Sequence, residues 1–335
     1  MSYIPKPIDL LIPLNRIPEA IDNIKLFDEK WLTYHSCKDD LNLFHYTTSD
    51  GLKGILENQT MRCSHIKYFD DPAEWKYGEI MVTSNIDNRM DNEQDPRYSN
   101  LLKDVKTNIK SIGSNLYDIY VACFCAIDNL TSQWRRYSNK GGGYSLGFQF
   151  DSTTNFTYDL DKIPNLKLAG LRKVVYDFKL QNELIDFALN KLIETAKLII
   201  NQPSRIEYVS DPTIFSQISM NFANRLAETI ICMKSHVYEK EQEWRLIIFK
   251  RCATSEDIPK EVDFREKNGE LIPYISAKIY NNDNGKSFPI KTIRIGPGLD
   301  EERAKHVTTL LKDKHAYLTS QKDAEPAIDK NIKII

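Results

Sequence analysis

No apolar run in this chain approaches the roughly 18 residues needed to cross a bilayer as a helix, so no transmembrane segment is expected. The opening MSYIPKPIDLLIPL lacks a charged segment followed by an apolar core of about 7–15 residues, so no secretory signal is expected either. Net charge is almost absent: 45 Lys and Arg against 47 Asp and Glu leave −2. That balance gives no global pull toward nucleic acid or anionic lipid, although a local basic groove is compatible with it. Cysteine is sparse. The six (Cys37, Cys63, Cys123, Cys125, Cys232, Cys252) form neither a disulfide framework nor a C-x-x-C pair, and read as buried thiols of a reducing cytosol. Cys123 and Cys125 share one strand face but lack a second His/Cys cluster, so no metal is expected. The expectation is a cytoplasmic protein with no membrane partner.

What is present is ordinary globular composition, 41% hydrophobic and 27% charged, in a chain long enough for a large core. Residues 1–40 read as an N-terminal arm with one helix, and residues 41–335 as one domain. A strand at Leu43–Thr47 leads to a helix capped by Ser49, with Leu52, Ile55 and Leu56 on one face. A second strand at Met61–Ile66 ends in Asp70-Asp71-Pro72, where Asp71 caps a new helix beginning at Pro72. The polar DNRMDNEQDP (87–96) reads as a surface loop. YVACFCA (120–126) reads as a buried strand, LTSQWRRY (130–137) as a helix, YSLGFQF (144–150) as an alternating strand, and Leu171–Tyr176 as another strand. Apolar stripes then mark helices at 182–201 and 213–233, a hairpin inserted at about 180–235 between strands. Strands return at Glu243–Lys250 and Lys291–Ile295, followed by a helix over Asp300–Lys312. The class is α+β.

Few residues in this frame suggest chemistry. If extended backbone begins at Glu241, Glu241 and Glu243 share one strand face, and a carboxylate pair suits proton transfer or a developing positive charge. The plainer alternative is a solvated Glu-Lys-Glu-Gln-Glu edge. His45 lies on an apolar strand, where a satisfied core histidine is the commoner outcome. Gly141–Gly143 is either a close backbone approach to a ligand or a turn, and it lacks the spacing of a phosphate loop. At Gly296-Pro297-Gly298, the following Asp300, Glu301 and Glu302 repel phosphate and fit helix capping instead. Asp70, Asp71 and Glu74 read as caps that orient their loop rather than as a cation site.

The order of these pieces resembles the bacterial domain-of-unknown-function family DUF2971. The matching segments are FHYTT (44–48), GLKGIL (51–56), DDPAEW (70–75), the helix with Trp134 and Tyr137, GYSLGF (143–148), EKEQEWRLI (239–247) and IRIGP (293–297). Together they span about residues 40–315. That family is distantly similar to ADP-ribosyltransferases. The resemblance implies a split, mixed or antiparallel sheet that binds NAD as substrate, with His45, Tyr144 and Glu243 as a catalytic set and Glu241 orienting the acceptor. It implies NAD contacts from His45, Tyr46, Thr47, Tyr144, Arg136 and Arg245, with Arg135 a further candidate for the pyrophosphate. Neighbours on a strand point to opposite faces, so only one of His45 and Tyr46, and one of Tyr144 and Ser145, can face such a cleft.

On this resemblance the expected function is cleavage of the nicotinamide–ribose bond and modification of a macromolecular acceptor, protein or nucleic acid, as in bacterial toxins and antiviral effectors. The alternatives are an NAD glycohydrolase and a non-catalytic nucleotide- or nucleic-acid-sensing module. The last would use a basic groove at Arg135, Arg136, Lys140 and Arg172.

Overall fold

The computed structural model describes residues 40–69, 71, 73–151, 153–157, 166–200, 212–251, 262–267, 269–282, 286–321 and 328–335. The expected N-terminal arm, Asp70 and Pro72 lie outside the described residues. The fold is mixed α+β, built on a mixed sheet in which only the β11–β12 pair is parallel among the described strands.

The strands are β1 (Leu41–Thr47), β2 (Thr60–His65), β3 (Tyr117–Cys125), β4 (Tyr144–Phe150), β5 (Thr154–Thr157) and β6 (Leu166–Lys173). They continue with β7 (Glu243–Arg251), β8 (Asp263–Lys267), β9 (Glu270–Asn282), β10 (Lys286–Ser287), β11 (Ile290–Ile295) and β12 (Lys333–Ile334). The sheet forks at β3. One edge of β3 pairs with β7 from Tyr117↔Arg251 to Cys125↔Glu243. The other edge is shared, with β2 taking Tyr120 and Val121 and β1 taking Cys125. β1 continues through β4 to β11 and β12, while β2 continues to β9 with its neighbours β5, β8 and β10.

Side chains alternate across each strand, so the β3–β7 region has two different faces. Ile119, Val121, Ile247 and Phe249 enter a core shared with four helices: α2 (Ala73–Asn92), α3 (Pro96–Ser111), α5 (Phe178–Ile200) and α6 (Pro212–Ile231). Tyr120, Ala122, Phe124, Trp244, Leu246 and Ile248 enter a second core. That core holds residues of β1 and β4, of α1 (Ser49–Asn58) and of α7 (Glu301–Gln321). A small third cluster joins Tyr46 and Cys125 to Trp134 of α4 (Thr131–Tyr137).

The helices follow from their stripes and caps. In α3, Tyr98, Leu101, Leu102, Val105 and Ile109 are buried at helical spacing, Pro96 stands in the first turn, and Asp95 accepts from Arg97 N. The expected hairpin corresponds to α5 and α6, which fall between the paired strands β6 and β7. It does not stand alone, because α2 and α3 pack into the same core. Gly78 of α2 permits the approach to α6: a Cβ there would lie 2.9 Å from the Ile230 carbonyl oxygen.

Several expectations change. The cap of α1 is Thr48, whose hydroxyl accepts from Gly51 N, and Ser49 is already helical. Most of the loop read at 87–96 is helix, because α2 runs on through Asn92. Its polar sequence hides two anchors, the buried Ile86 and an Asp87 carboxylate held 2.5 Å from Lys106 Nζ of α3. Asp71 does cap α2, accepting from Ala73 N at 2.9 Å. The final helix extends to Gln321, with Asp300 accepting from Arg303 N at its start.

Gly141–Gly143 is a backbone crossing. Gly296 N donates to Gly143 O at 2.8 Å and Gly298 N to Gly141 O at 2.9 Å. A Cβ on Gly296 would lie 2.2 Å from the Gly141 oxygen, so the two glycine segments need each other.

A buried ionic network as the candidate functional site

On the helical face of β7, Glu243 and Arg245 are 6% and 2% exposed where neighbouring strand positions hold Ile and Phe. Charges in such a place must be paired and hydrogen-bonded, since unpaired burial costs several kcal/mol per ion, to order of magnitude. They are. Arg245 Nε donates to Glu243 Oε1 at 2.8 Å, and its terminal nitrogens reach Ile231 O at 2.7 Å, Glu74 Oε2 at 2.5 Å and Glu243 Oε2 at 3.1 Å. The guanidinium also lies over the Phe69 ring.

Lys234 completes the network. Its ammonium, 3% exposed, contacts Glu74 Oε1 at 3.0 Å, Glu241 Oε2 at 2.8 Å and Glu243 Oε2 at 2.9 Å. The contacts with Glu241 and Glu243 are hydrogen bonds, and that with Glu74 is an ion pair, so one ammonium serves three carboxylates. The backbone after α6 fixes this placement: Lys234 N donates to Val175 O, and the buried Gln181 amide donates to Lys234 O and Val175 O. Where three carboxylates converge the centre is occupied by this ammonium. Among the described residues no His, Cys, Asp and Glu group is arranged to hold a metal.

Glu241 and Glu243 do come together, although not by strand alternation. Glu241 ends a 3₁₀ turn over His236–Glu241, and Gln242 takes a left-handed conformation, φ 40°. Strand β7 begins only at Glu243. The turn swings Glu241 back toward Lys234, so the two carboxylates share one cation. Glu241 is less enclosed than Glu243, and among the described residues its Oε1 meets only Arg136 Nη1 of α4, at 3.3 Å. The solvated-edge alternative is therefore wrong for these two side chains, which are 12% and 8% exposed.

The electrostatics are strongly coupled. Burial opposes ionisation of Glu243, yet Arg245 and Lys234 outweigh it and hold the carboxyl at about 2. For Lys234 burial favours the neutral amine, but Glu243 and Glu74 overcome it and raise the ammonium pKa. Burial, reinforced by Glu243, pushes the Cys123 thiol well above its usual range. Cys125, whose thiol donates to Glu241 O, is pushed up to about 11, again chiefly by burial. Neither is a thiolate nucleophile at neutral pH. Tyr176 accepts from Glu243 N at 2.9 Å, and its phenol, like that of Tyr137, is raised by burial and by Glu243. Beside the network lies a cavity of about 220 Å³, with Phe69, Trp75, Ile230 and Ile231 among its walls and Glu74 and Arg245 at its charged side.

The other sequence-derived candidates divide by face. Tyr46 lies on the same face as Glu243, edge-on to Trp134, with its hydroxyl donating to Ile127 O and accepting from Leu130 N. Alternation puts His45, Thr47 and Tyr144 on the opposite face. His45 packs near Phe124, and its Nδ1–H donates to Cys123 O at 2.9 Å, at the fork of the sheet. Burial, partly offset by that bond, lowers its pKa, so it is neutral near pH 7. Tyr144 is 7% exposed within the second core. Thr47 lies against Gly51, where a Cβ would meet its hydroxyl. The sheet thus separates His45 and Tyr144 from Glu243. Arg245 has its donors engaged inside the protein, which leaves it ill-suited to grip a pyrophosphate.

Lys234 and Tyr176 carried no sequence signal, and Glu74 read as a loop cap when it in fact bridges Lys234 and Arg245. No curated protein and no solved structure matches the chain. The model of a family described as "Protein of unknown function (DUF2971)" matches residues 133–246, roughly a third of the chain. That stretch runs from α4 into β7 and contains Lys234, Glu241, Glu243 and Arg245, so over the centre of this network the chain is similar to that family.

Proposed function

We propose that the chain is an NAD-consuming enzyme of the ADP-ribosyl-transfer type, with its chemistry on the Glu241–Glu243 face of the sheet. The observation that carries this reading is the convergence of Glu241 and Glu243 on the Lys234 ammonium, in a buried network beside a cavity. Ionic groups buried among apolar residues add little net stability, so their concentration in one place supports a functional site. The fork of the sheet at β3 and the motif order of the sequence support the same reading.

In this reading the bond between nicotinamide nitrogen and the anomeric ribose carbon breaks, and its electron pair leaves with neutral nicotinamide. The ribose becomes oxocarbenium-like, and a fixed carboxylate stabilises that cation more than the ground state. Glu241 is the better placed carboxylate, because it is the less enclosed and among the described residues its Oε1 makes only a long contact, 3.3 Å to Arg136, whereas both oxygens of Glu243 are held by Arg245 and Lys234 at 2.8–3.1 Å. Glu243 positions the network. An acceptor hydroxyl or amine then forms the new bond to the ribose carbon, and its proton passes to Glu241. Water in that role makes the protein a glycohydrolase. His45 and Tyr144 have no part in this version, since they face the other core.

One observation favours a second reading, a non-catalytic nucleotide-sensing module: every carboxylate of the network is already paired. Incubation of NAD with purified protein and cell lysate separates the readings. Label transferred to macromolecules marks a transferase, free ADP-ribose a glycohydrolase, and NAD bound but recovered intact a sensor.

A further inference from the structure

The cavity beside the ionic network is graded by depth. Ile230, Ile231 and Arg245 are buried and form its floor. Phe69 and Trp75 are half-buried walls, with Glu74 among them. Exposed Lys67 and half-buried Asp71 stand nearest the solvent. The charged side chains of the lining cancel, Lys67 and Arg245 against Asp71 and Glu74. An ionic occupant would leave one charge uncompensated beside an apolar floor, so the space favours a neutral one.

Size narrows the occupant further. A cavity of about 150 Å³ takes benzene, so one of about 220 Å³ holds a six-membered ring with one small substituent. Phe69 and Trp75 supply flat faces for such a ring. Toward the solvent, the Lys67 ammonium, which also meets Ser114 O at 3.0 Å, offers a donor, and the Asp71 carboxylate offers an acceptor. A primary amide carries one acceptor and two N–H donors without charge, and so matches both. The wall at Trp75 is not built for stability alone. Its indole N–H is buried with no acceptor among the described residues, and a Cβ on Gly113 would run into it. Gly113 belongs to a π turn over Ile112–Leu116, a form frequent at functional sites.

We propose that this cavity seats a neutral, single-ring aromatic carboxamide, with its ring against Phe69 and Trp75 and its amide toward Lys67 and Asp71. The natural identity of that ring rests on the proposed function, whose chemistry releases nicotinamide. Glu74 ties the two places together. It borders the cavity, and it holds Lys234, the ammonium shared with Glu241. The cavity therefore adjoins the carboxylates of the network through one side chain.

The test is nuclear magnetic resonance of full-length protein carrying isotope-labelled tryptophan, titrated with nicotinamide as the probe. The four tryptophans give four indole N–H signals, and that of Trp75 is identified by its loss in Trp75→Phe. Trp134, whose indole donates to Asn129 Oδ1 at 2.8 Å, serves as the internal control. A ligand of this size binds at about 1 mM. Nicotinamide is expected to move the Trp75 signal saturably in that range and to leave the Trp134 signal in place. Nicotinate, an anion without the amide donor, should bind at least about tenfold more weakly. Lys67→Met alters one exposed side chain. It is expected to melt like the parent, to weaken nicotinamide about threefold to tenfold, and to leave toluene binding unchanged. A Trp75 signal unmoved at about 10 mM, or equal movement of every indole, would overturn the assignment. So would nicotinate bound as tightly as nicotinamide, or an unchanged affinity in Lys67→Met. The readout needs no NAD turnover. A saturable Trp75 shift in a protein that leaves NAD intact supports the cavity while counting against the chemistry, and turnover with an unmoved signal does the reverse.

Discussion

Lys234 and Glu243 are nine residues apart in sequence, and the ammonium of one rests 2.9 Å from the carboxylate of the other. Between them the chain makes a 3₁₀ turn and a left-handed residue, which bring Glu241 to the same nitrogen. Lys234 is therefore the hub on which both carboxylates of the candidate site depend.

Removing the hub leaves three carboxylates facing one another. Lys234→Met is expected to destabilise the protein by about 3–5 kcal/mol, as for other broken buried pairs. Urea unfolding measures it. The double change Lys234→Met/Glu243→Leu should cost less than the sum of its single changes, because the two residues are coupled. Strict additivity would mean that they do not interact.

Acid should reveal Glu243. Its carboxyl is held at about 2 in the fold, against an ordinary value of 4.5. A depressed folded pKa contributes stability above the unfolded value, and that contribution is lost as pH falls from about 4.5 toward 2. Stability measured across this window should fall in the parent and fall less steeply in Glu243→Gln. Parallel curves would show that Glu243 is not the group responsible.

His45 gives a test of the division by face. His45→Phe deprives Cys123 O of its donor, with an expected loss of about 1–3 kcal/mol. Under the proposed function, NAD turnover per folded molecule should be unchanged. Lost turnover at undiminished thermal stability would return His45 to the site.

The glycine crossing predicts a severe effect from one methyl group. Gly296→Ala places a Cβ 2.2 Å from the Gly141 oxygen, so backbone must shift. A destabilisation of about 1–3 kcal/mol is expected. A neutral variant would show that the two segments are not held together.

Much of the fold is legible in local pattern. YSLGFQF alternates and is β4 with the expected bounds, and the stripes at Ile185–Leu192 and Ile218–Leu226 are buried helix faces. β9 escaped because Pro273 sits inside it, and proline argues against a strand until pairing with a neighbour accommodates it. The α2 extension escaped because its anchors, Ile86 and the Lys106 pair of Asp87, are visible only once α3 is in place. The candidate site was half legible. Glu241, Glu243 and Arg245 stand close in sequence, so a motif can hold them. Glu74 lies 171 residues from Arg245, and Lys234 belongs to no motif, so only the tertiary fold brings them in. The grouping of His45 with Glu243 failed on a matter of parity, because the face a strand residue takes depends on what packs against it.

The most direct measurement is the rate of nicotinamide release from NAD by the purified full-length protein, compared with its Glu241→Gln variant. Lys234 and Glu243 stay in place in that variant, so the fold should survive. The account predicts release by the parent and a loss of about 100-fold or more in the variant. A parent that leaves NAD intact with acceptor present, or a folded variant that releases nicotinamide at the parental rate, would contradict it.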